Sequence, residues 1–386
     1  MAGRSAVVLF LLAFLVCSHA SAEEATPLEK AIESLDVDAV SRILDQLAPP
    51  KLMGRDDYSH TTITVTPLDQ NKESQIPFQY QRSYNRSLLE QVAMRPMPGL
   101  FDGGSKGDLD AKAAQIVAVL LAHGYQLSAE DSDVLYLPCA EGFTKLAMAL
   151  IEAGVDPTKP FEEIPHNSAY SSTPMSVAVS ENQSEIETIL EAHGVPQLSH
   201  QQRIQLQFVK AAGEGDVKAV RSLLGQGAHV NLPSLEGMTA LQSAIEPRNY
   251  ETFRFLVTNG AKPNVESPGS EYRYPLIKAV WYVGIVTEAG NEKLSDYASK
   301  MALELIATGA WVSVVDTWGN TPLHYAAQSS LYAIAKSLIL HGAKVSPANG
   351  EGKTPLDLAV DGQVIKLLKA NGAQESPPLG EAEKRQ

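Results

Sequence analysis

Cysteine is nearly absent from this chain, which holds only Cys17 and Cys139 among 386 residues. Two thiols cannot build the disulfide framework of a small secreted scaffold. Basic residues are also scarce: 31 Lys and Arg stand against 45 Asp and Glu, a formal charge of −14. Such a surface repels phosphate backbones, which argues against a nucleic-acid partner. Beyond residue 16 there is no long apolar run. The run that does occur, Ala6–Val16, is too short to span a bilayer. With Arg4 before it and Ala20-Ser21-Ala22 after it, residues 1–22 read as a cleavable export signal, and valine just before Cys17 argues against a lipoprotein box. The mature chain is therefore expected to have no membrane span and to be exported. A single remaining thiol and a simple signal suit a bacterial periplasm, with secretion as the open alternative.

Catalytic and metal signatures are missing as well. Gly103-Gly104-Ser105-Lys106-Gly107 lacks the spacing of a phosphate-binding loop and reads as a surface linker. The pairs Glu162-Glu163 and Asp131-Asp133 read as solvated carboxylates. Cys139 falls on a small apolar position where an inert core thiol is expected. His123, His193 and His341 share one place, just before a glycine, where a donor beside the last helical carbonyls is sufficient reason for histidine. No cofactor, metal or enzymatic activity is expected. The loop 158–172, with Phe161, His166 and Tyr170, reads either as a contact loop or as a linker. Asn85-Arg86-Ser87 and Asn182-Gln183-Ser184 have the form of glycosylation sequons, relevant only in a eukaryotic source.

What the chain does have is a repeated unit. Its fullest statement is Trp318-Gly319-Asn320-Thr321-Pro322-Leu323-His324-Tyr325-Ala326-Ala327. Thr321 suits a helix N-cap, Pro322 the one helical position that needs no N–H, and Leu323, Ala326 and Ala327 an apolar face that a neighbouring helix can approach closely. Thr354-Pro355-Leu356-Asp357-Leu358-Ala359 begins the same unit again, and Thr26-Pro27-Leu28, Thr173-Pro174-Met175, Thr239-Ala240-Leu241 and Tyr274-Pro275-Leu276 match it. Weaker openings fall at Ser87, Asp133 and Leu206. Gly124, Gly154, Gly194, Gly227, Gly260, Gly309, Gly342 and Gly372 mark the unit ends, where a helix terminates on a residue free to take positive φ. Apolar spacing at Val217, Val220, Leu223 and Leu224, and at Ile334, Leu338 and Ile339, gives the second helix its buried face.

This pattern resembles the ankyrin repeat family. The resemblance implies an all-α solenoid of stacked helix–turn–helix units with β-turn fingers, about nine units over residues 23–373, and binding rather than catalysis. Two segments depart from the pattern. Residues 49–84, with the β-prone runs 61–66 and 76–80, are expected to form an inserted hairpin-like excursion, and repeat seven carries an insertion around Val283–Leu294. The tail 374–386 is expected to be disordered.

The family contacts partners through finger residues and the exposed end of the first helix. Carried onto repeats seven and eight, these places are Glu271, Arg273, Trp281 and Tyr282, then Trp318, Asn320, Gln328 and Ser329. All three tryptophans lie between 281 and 318, and Trp, Tyr and Arg dominate interface energetics. The expected partner is another protein, bound by a chain that is monomeric alone; the alternatives are a secreted effector or an immunity- or inhibitor-type binder and, less favoured, an enzyme that builds a site from the inserted loops, above all 49–84. The competing reading has Trp281 packed under the insertion; Trp311 is expected to pack between units. His324 occupies the place where the family bonds the adjacent finger.

Overall fold

The computed structural model of the chain describes residues 31–32, 34–46, 61–62, 83–84, 105–123, 132–161, 172–268 and 270–376. The signal at 1–22, the weak repeat opening at Ser87, residues 162–171 of the long loop and everything beyond 376 lie outside them. Of the excursion expected at 49–84, two-residue strands β1 (Thr61–Thr62) and β2 (Ser83–Tyr84) pair antiparallel, with Thr61 opposite Tyr84. A pair this short is not a β-element in its own right. The expected β-prone insertion is thus not supported: its runs 63–66 and 76–80 lie outside the described residues.

The described residues divide between two compact units, Met1–Lys159 with Glu181–Pro196, and Pro160–Ser180 with Gln197–Gln386. The first contains α1 (Val37–Gln46), α2 (Lys106–Ala122), α3 (Tyr136–Glu141) and α4 (Thr144–Glu152). Helix α5 (Pro174–Ser180) belongs to the second unit, and α6 (Ser184–Ala192) returns to the first. In the first unit α1 packs on α2, α2 on α4, and α4 on α6. Ile116, Leu120, Leu146, Leu150, Ile186 and Leu190 are buried along this row. Asp133 lies in a 3-10 turn, Ser132–Leu135, so the helix of repeat three starts later than the sequence suggests.

A buried carboxylate joins α2 to α4. Asp110 accepts the backbone N–H groups of Lys145 (3.1 Å) and Leu146 (2.8 Å), acting as an N-cap supplied by another helix. Asp110→Ala is expected to destabilise α4 by about 1–2 kcal/mol, because it strands two first-turn donors. Hydrogen exchange at the α4 amides, faster in the variant and unchanged in the second unit, would show it.

The second unit continues with α7 (His200–Glu214), α8 (Val217–Gly225), α9 (Ala240–Ser243), α10 (Tyr250–Thr258), α11 (Pro275–Glu288) and α12 (Glu292–Ala307). It closes with α13 (Pro322–Gln328), α14 (Tyr332–Leu340), α15 (Pro355–Leu358) and α16 (Gly362–Ala370). First helices stack on first helices, α5 on α7, α9, α11, α13 and α15 in turn. Second helices do the same through α8, α10, α12, α14 and α16. One continuous core runs between the two rows, from Ile204 and Phe208 through Phe253, Leu276 and Leu323 to Leu368.

Local chemistry explains where the helices begin and end. Thr239 and Thr354 cap their helices as expected, each hydroxyl accepting an N–H three residues on. Leu206, in contrast, does not open repeat five. It is buried inside α7, which starts at a Ser199–Gln202 capping box. Helix α9 is only four residues long because Pro247 forces Glu246 into extended backbone (φ −143°, ψ 134°).

A polar ladder holds the second unit in register. Asn231 accepts from the Lys262 N–H (2.8 Å) and donates to the Gly260 carbonyl, and Asn264 makes the same pair with Trp311 and Gly309. Ser313 and Ser346 continue it by accepting from Lys344 and Gln374. Gln374 and Ser376, at the head of the expected tail, are held to Ser346, Thr354 and Asp357. The repeat-seven insertion is helical. It lengthens α11 and α12 to 14 and 16 residues, against 7 and 9 in α13 and α14, and the paired helices turn at Gly290 (φ 70°).

Candidate protein-binding surface

The finger of repeat seven, residues 264–273, closes on itself through Ser267 N–H to the Arg273 carbonyl (2.7 Å). The finger of repeat eight, 313–320, closes likewise, with the Asp316 N–H on the Asn320 carbonyl (3.0 Å). The fingers are then laced to one another. Thr317 N–H donates to the Glu271 carbonyl (3.2 Å), and Gly350 N–H, in the next finger, donates to the Trp318 carbonyl (2.8 Å). A side chain on Gly350 would sit 2.7 Å from that carbonyl oxygen, so glycine is required for this approach. Gly350→Ala should therefore destabilise the finger row by about 1–3 kcal/mol and displace Trp318. Gly362→Ala, with open space around an exposed position in α16, should leave stability unchanged or raise it by about 0.5–1 kcal/mol. Chemical denaturation of the two variants side by side gives the comparison.

This scaffold assembles four aromatic rings. Trp281, on α11, lies 4.9 Å from Tyr272 of finger seven and 5.0 Å from Tyr282 in a T-shaped contact. Tyr272 in turn meets Trp318 of finger eight at 6.2 Å, edge to face. Each ring is half-buried. Tyr272, Trp281 and Tyr282 rest on the core, so their inner surfaces are fixed by packing while an outer part stays accessible. The four rings make a continuous strip across two repeats, and three of them, Trp281, Tyr282 and Trp318, are expected contact residues. Tyr272 was missed, because it falls between the finger positions carried over from the family. Its signal in the sequence was the pair of tyrosines flanking Arg273.

Other expected residues have different roles. Asn320, expected at the contact surface, is only 9% exposed, and its side-chain oxygen accepts from Asn349 of the next finger (2.7 Å). The Glu271 carbonyl is taken up in the finger ladder, and its side chain is partly exposed. Arg273 is exposed, in left-handed backbone (φ 56°), with its guanidinium on Glu266. Gln328 and Ser329 are half-buried at the end of α13, and the longer α11 passes so close that a side chain on Gly284 would meet the Ser329 hydroxyl at 2.4 Å. Trp311 does not pack away between units. It is 58% exposed, beside Tyr274 at 6.0 Å and outside the strip.

Buried polar groups support the strip from beneath. Asp316 accepts from the Trp318 N–H (2.9 Å), the Asn320 N–H (2.8 Å) and the Tyr325 hydroxyl (2.6 Å). Burial nonetheless holds its carboxyl above the usual range, outweighing these bonds. His324 accepts the Thr321 N–H on Nδ1 (3.0 Å), so Nε2 carries the proton and donates to the Lys353 carbonyl (3.1 Å). Burial lowers its pKa below the ordinary value of 6.5. Next to the strip, Lys278 donates to the Gln242 carbonyl (2.9 Å), and burial brings its ammonium down to about 8.

Among the described residues there is no group of His, Cys, Asp and Glu that could hold a metal ion. His123, His193 and His341 each place Nδ1 2.8 Å from the carbonyl four residues back, the donor role beside helix ends. Cys139 is fully buried, and burial raises its thiol far above the ordinary range, which makes it unreactive. No helix among the described residues is long and apolar enough to cross a membrane.

Comparison with known proteins agrees with this geometry. Residues 204–267 and 295–376 match the family model described as ankyrin repeats (3 copies). The ankyrin repeat protein FPV244 of fowlpox virus (strain NVSL) is 30% identical over 119 residues, 31% of this chain and 15% of that protein. The mitochondrial disaggregase of Homo sapiens is 31% identical over 201 residues, 46% of this chain and 28% of that protein. An ankyrin repeat protein of Rickettsia bellii (strain RML369-C) is 27% identical over 121 residues, 29% of this chain and 50% of that protein. The chain thus spans at most half the length of these relatives. The crystal structure of the human ASB11 ankyrin repeat domain overlays with a TM-score of 0.35 at 22% identity, covering 63% of this chain and 98% of that one. Over the matched residues 204–267 and 295–376, the stacked helix pairs and laced fingers of the second unit are similar to ankyrin repeats.

Proposed function

We propose that the mature chain is an exported protein-binding module that holds a protein partner on fingers seven and eight and on α11. The observation that carries this reading is the strip of Tyr282, Trp281, Tyr272 and Trp318, half-buried rings in unbroken contact across two successive repeats. Such rings bury large area on binding with little rotamer entropy to lose. Export is read from residues 1–22 of the sequence, with a charged start, an apolar run and a small-x-small end. The partner is a periplasmic or secreted protein that this chain scaffolds or inhibits, or a target inside another cell.

The test is affinity capture from native cell envelope and culture fluid with the mature chain, beside a variant carrying Arg273→Ala, Trp281→Ala and Trp318→Ala. One protein held by the native chain and lost from the still-folded variant supports the reading. Equal retention by both removes the strip from the interface.

A further inference from the structure

We infer that the aromatic strip receives a basic, arginine-bearing segment of the partner; this rests on the protein-binding reading above and goes on to name the partner's chemistry. Ring faces carry negative quadrupole charge, and guanidinium stacks on them better than ammonium does. The strip already accepts one cation: the Lys278 ammonium lies 5.9 Å over the Tyr282 ring. That amine is committed to the Gln242 carbonyl, and it lies at the Tyr282 end.

The fingers around the strip carry the complementary charge. Over residues 231–238, 264–273, 313–320 and 345–353 the carboxylates at least partly exposed are Glu236, Glu266, Glu271 and Glu351, Asp316 being buried, against the cations Arg273 and Lys353 alone. Both cations are held by carboxylates of their own fingers, Arg273 by Glu266 and Lys353 by Glu351 at 2.9 Å. An acidic segment laid here would meet this excess and gain nothing from the rings. A basic one gains from both, and the chain's formal charge of −14 draws it in from a distance.

The experiment uses the full mature chain with Trp311→Phe, so that tryptophan fluorescence comes from Trp281 and Trp318. The probes are acetylated Gly-Arg, Gly-Lys and Gly-Glu repeat peptides and a polyproline peptide, titrated at physiological salt, with calorimetry for the variants. The Gly-Arg peptide is expected to bind about fivefold or more tighter than Gly-Lys, with no binding by Gly-Glu or polyproline. Trp281→Leu and Trp318→Leu should each weaken Gly-Arg binding about tenfold while circular dichroism stays unchanged. Equal Gly-Arg and Gly-Lys binding that ignores both tryptophans would reduce the attraction to net charge and overturn the inference. Tryptophan-dependent binding of polyproline or Gly-Glu instead would also overturn it, yet leave the protein-binding reading intact. That reading falls separately, on failure of the capture.

Discussion

Replacing Trp281 and Trp318 together by alanine is expected to weaken binding of the captured partner by about a thousandfold, roughly 4 kcal/mol for two anchors. The size follows from their placement. Each ring is half-buried, fixed on one side and accessible on the other, and each touches Tyr272. The shared neighbour makes the two effects non-additive, with a coupling of about 0.5–1.5 kcal/mol expected from a double-mutant cycle. Trp311→Ala is the control. Its side chain is more exposed than either and lies beside Tyr274 instead, so it should change binding by less than about 0.5 kcal/mol. Calorimetric titration of the partner into the three variants distinguishes a specific strip from generally sticky tryptophans.

The second large effect is on stability. His324→Leu is expected to destabilise the second unit by about 2–4 kcal/mol, because it strands the Thr321 N–H at a buried site and takes from the Lys353 carbonyl one of its two donors, the other being the Asn349 N–H. A pH signature accompanies it. The folded-state pKa of His324 lies below its ordinary value of 6.5, so between the two values the unfolded chain binds more protons. Stability from this residue is complete above about 6.5 and falls as pH drops through that value towards the folded pKa, levelling off beneath it. Asp316 acts in the opposite sense. Its folded pKa is raised above 3.8, so its contribution improves on acidification. The difference between native and His324→Leu stability across pH 5 to 8 isolates the histidine. It should shrink towards the acid side.

Much of this architecture is legible in the chain because the repeat writes its own punctuation. Thr-Pro-Leu at 321 and 354 marks a cap, a first turn and a buried contact, and each lies where the spacing places it. Positions set by long-range contact were not legible. Leu206 looked like an opening residue by counting, but the capping box at Ser199 begins the helix earlier. Asn320 looked like a finger-tip contact, and its partner, Asn349, lies in the next repeat. The ladder through Asn231, Asn264, Ser313 and Ser346 uses two residue types at irregular spacing, broken by the lengthened α11 and α12. The strip was partly visible: tryptophan content pointed to repeats seven and eight, whereas Tyr272, which joins Trp281 to Trp318, was marked only by the tyrosines flanking Arg273, a signal that says nothing of its ring contacts.

The most direct test of the central claim is a hydrogen-exchange footprint of the captured partner on the mature chain. Protection should concentrate on residues 264–282 and 313–329, with the amides of 132–161 unchanged. Protection confined to 132–161, or to the second-helix row α8, α10 and α14, would contradict the account.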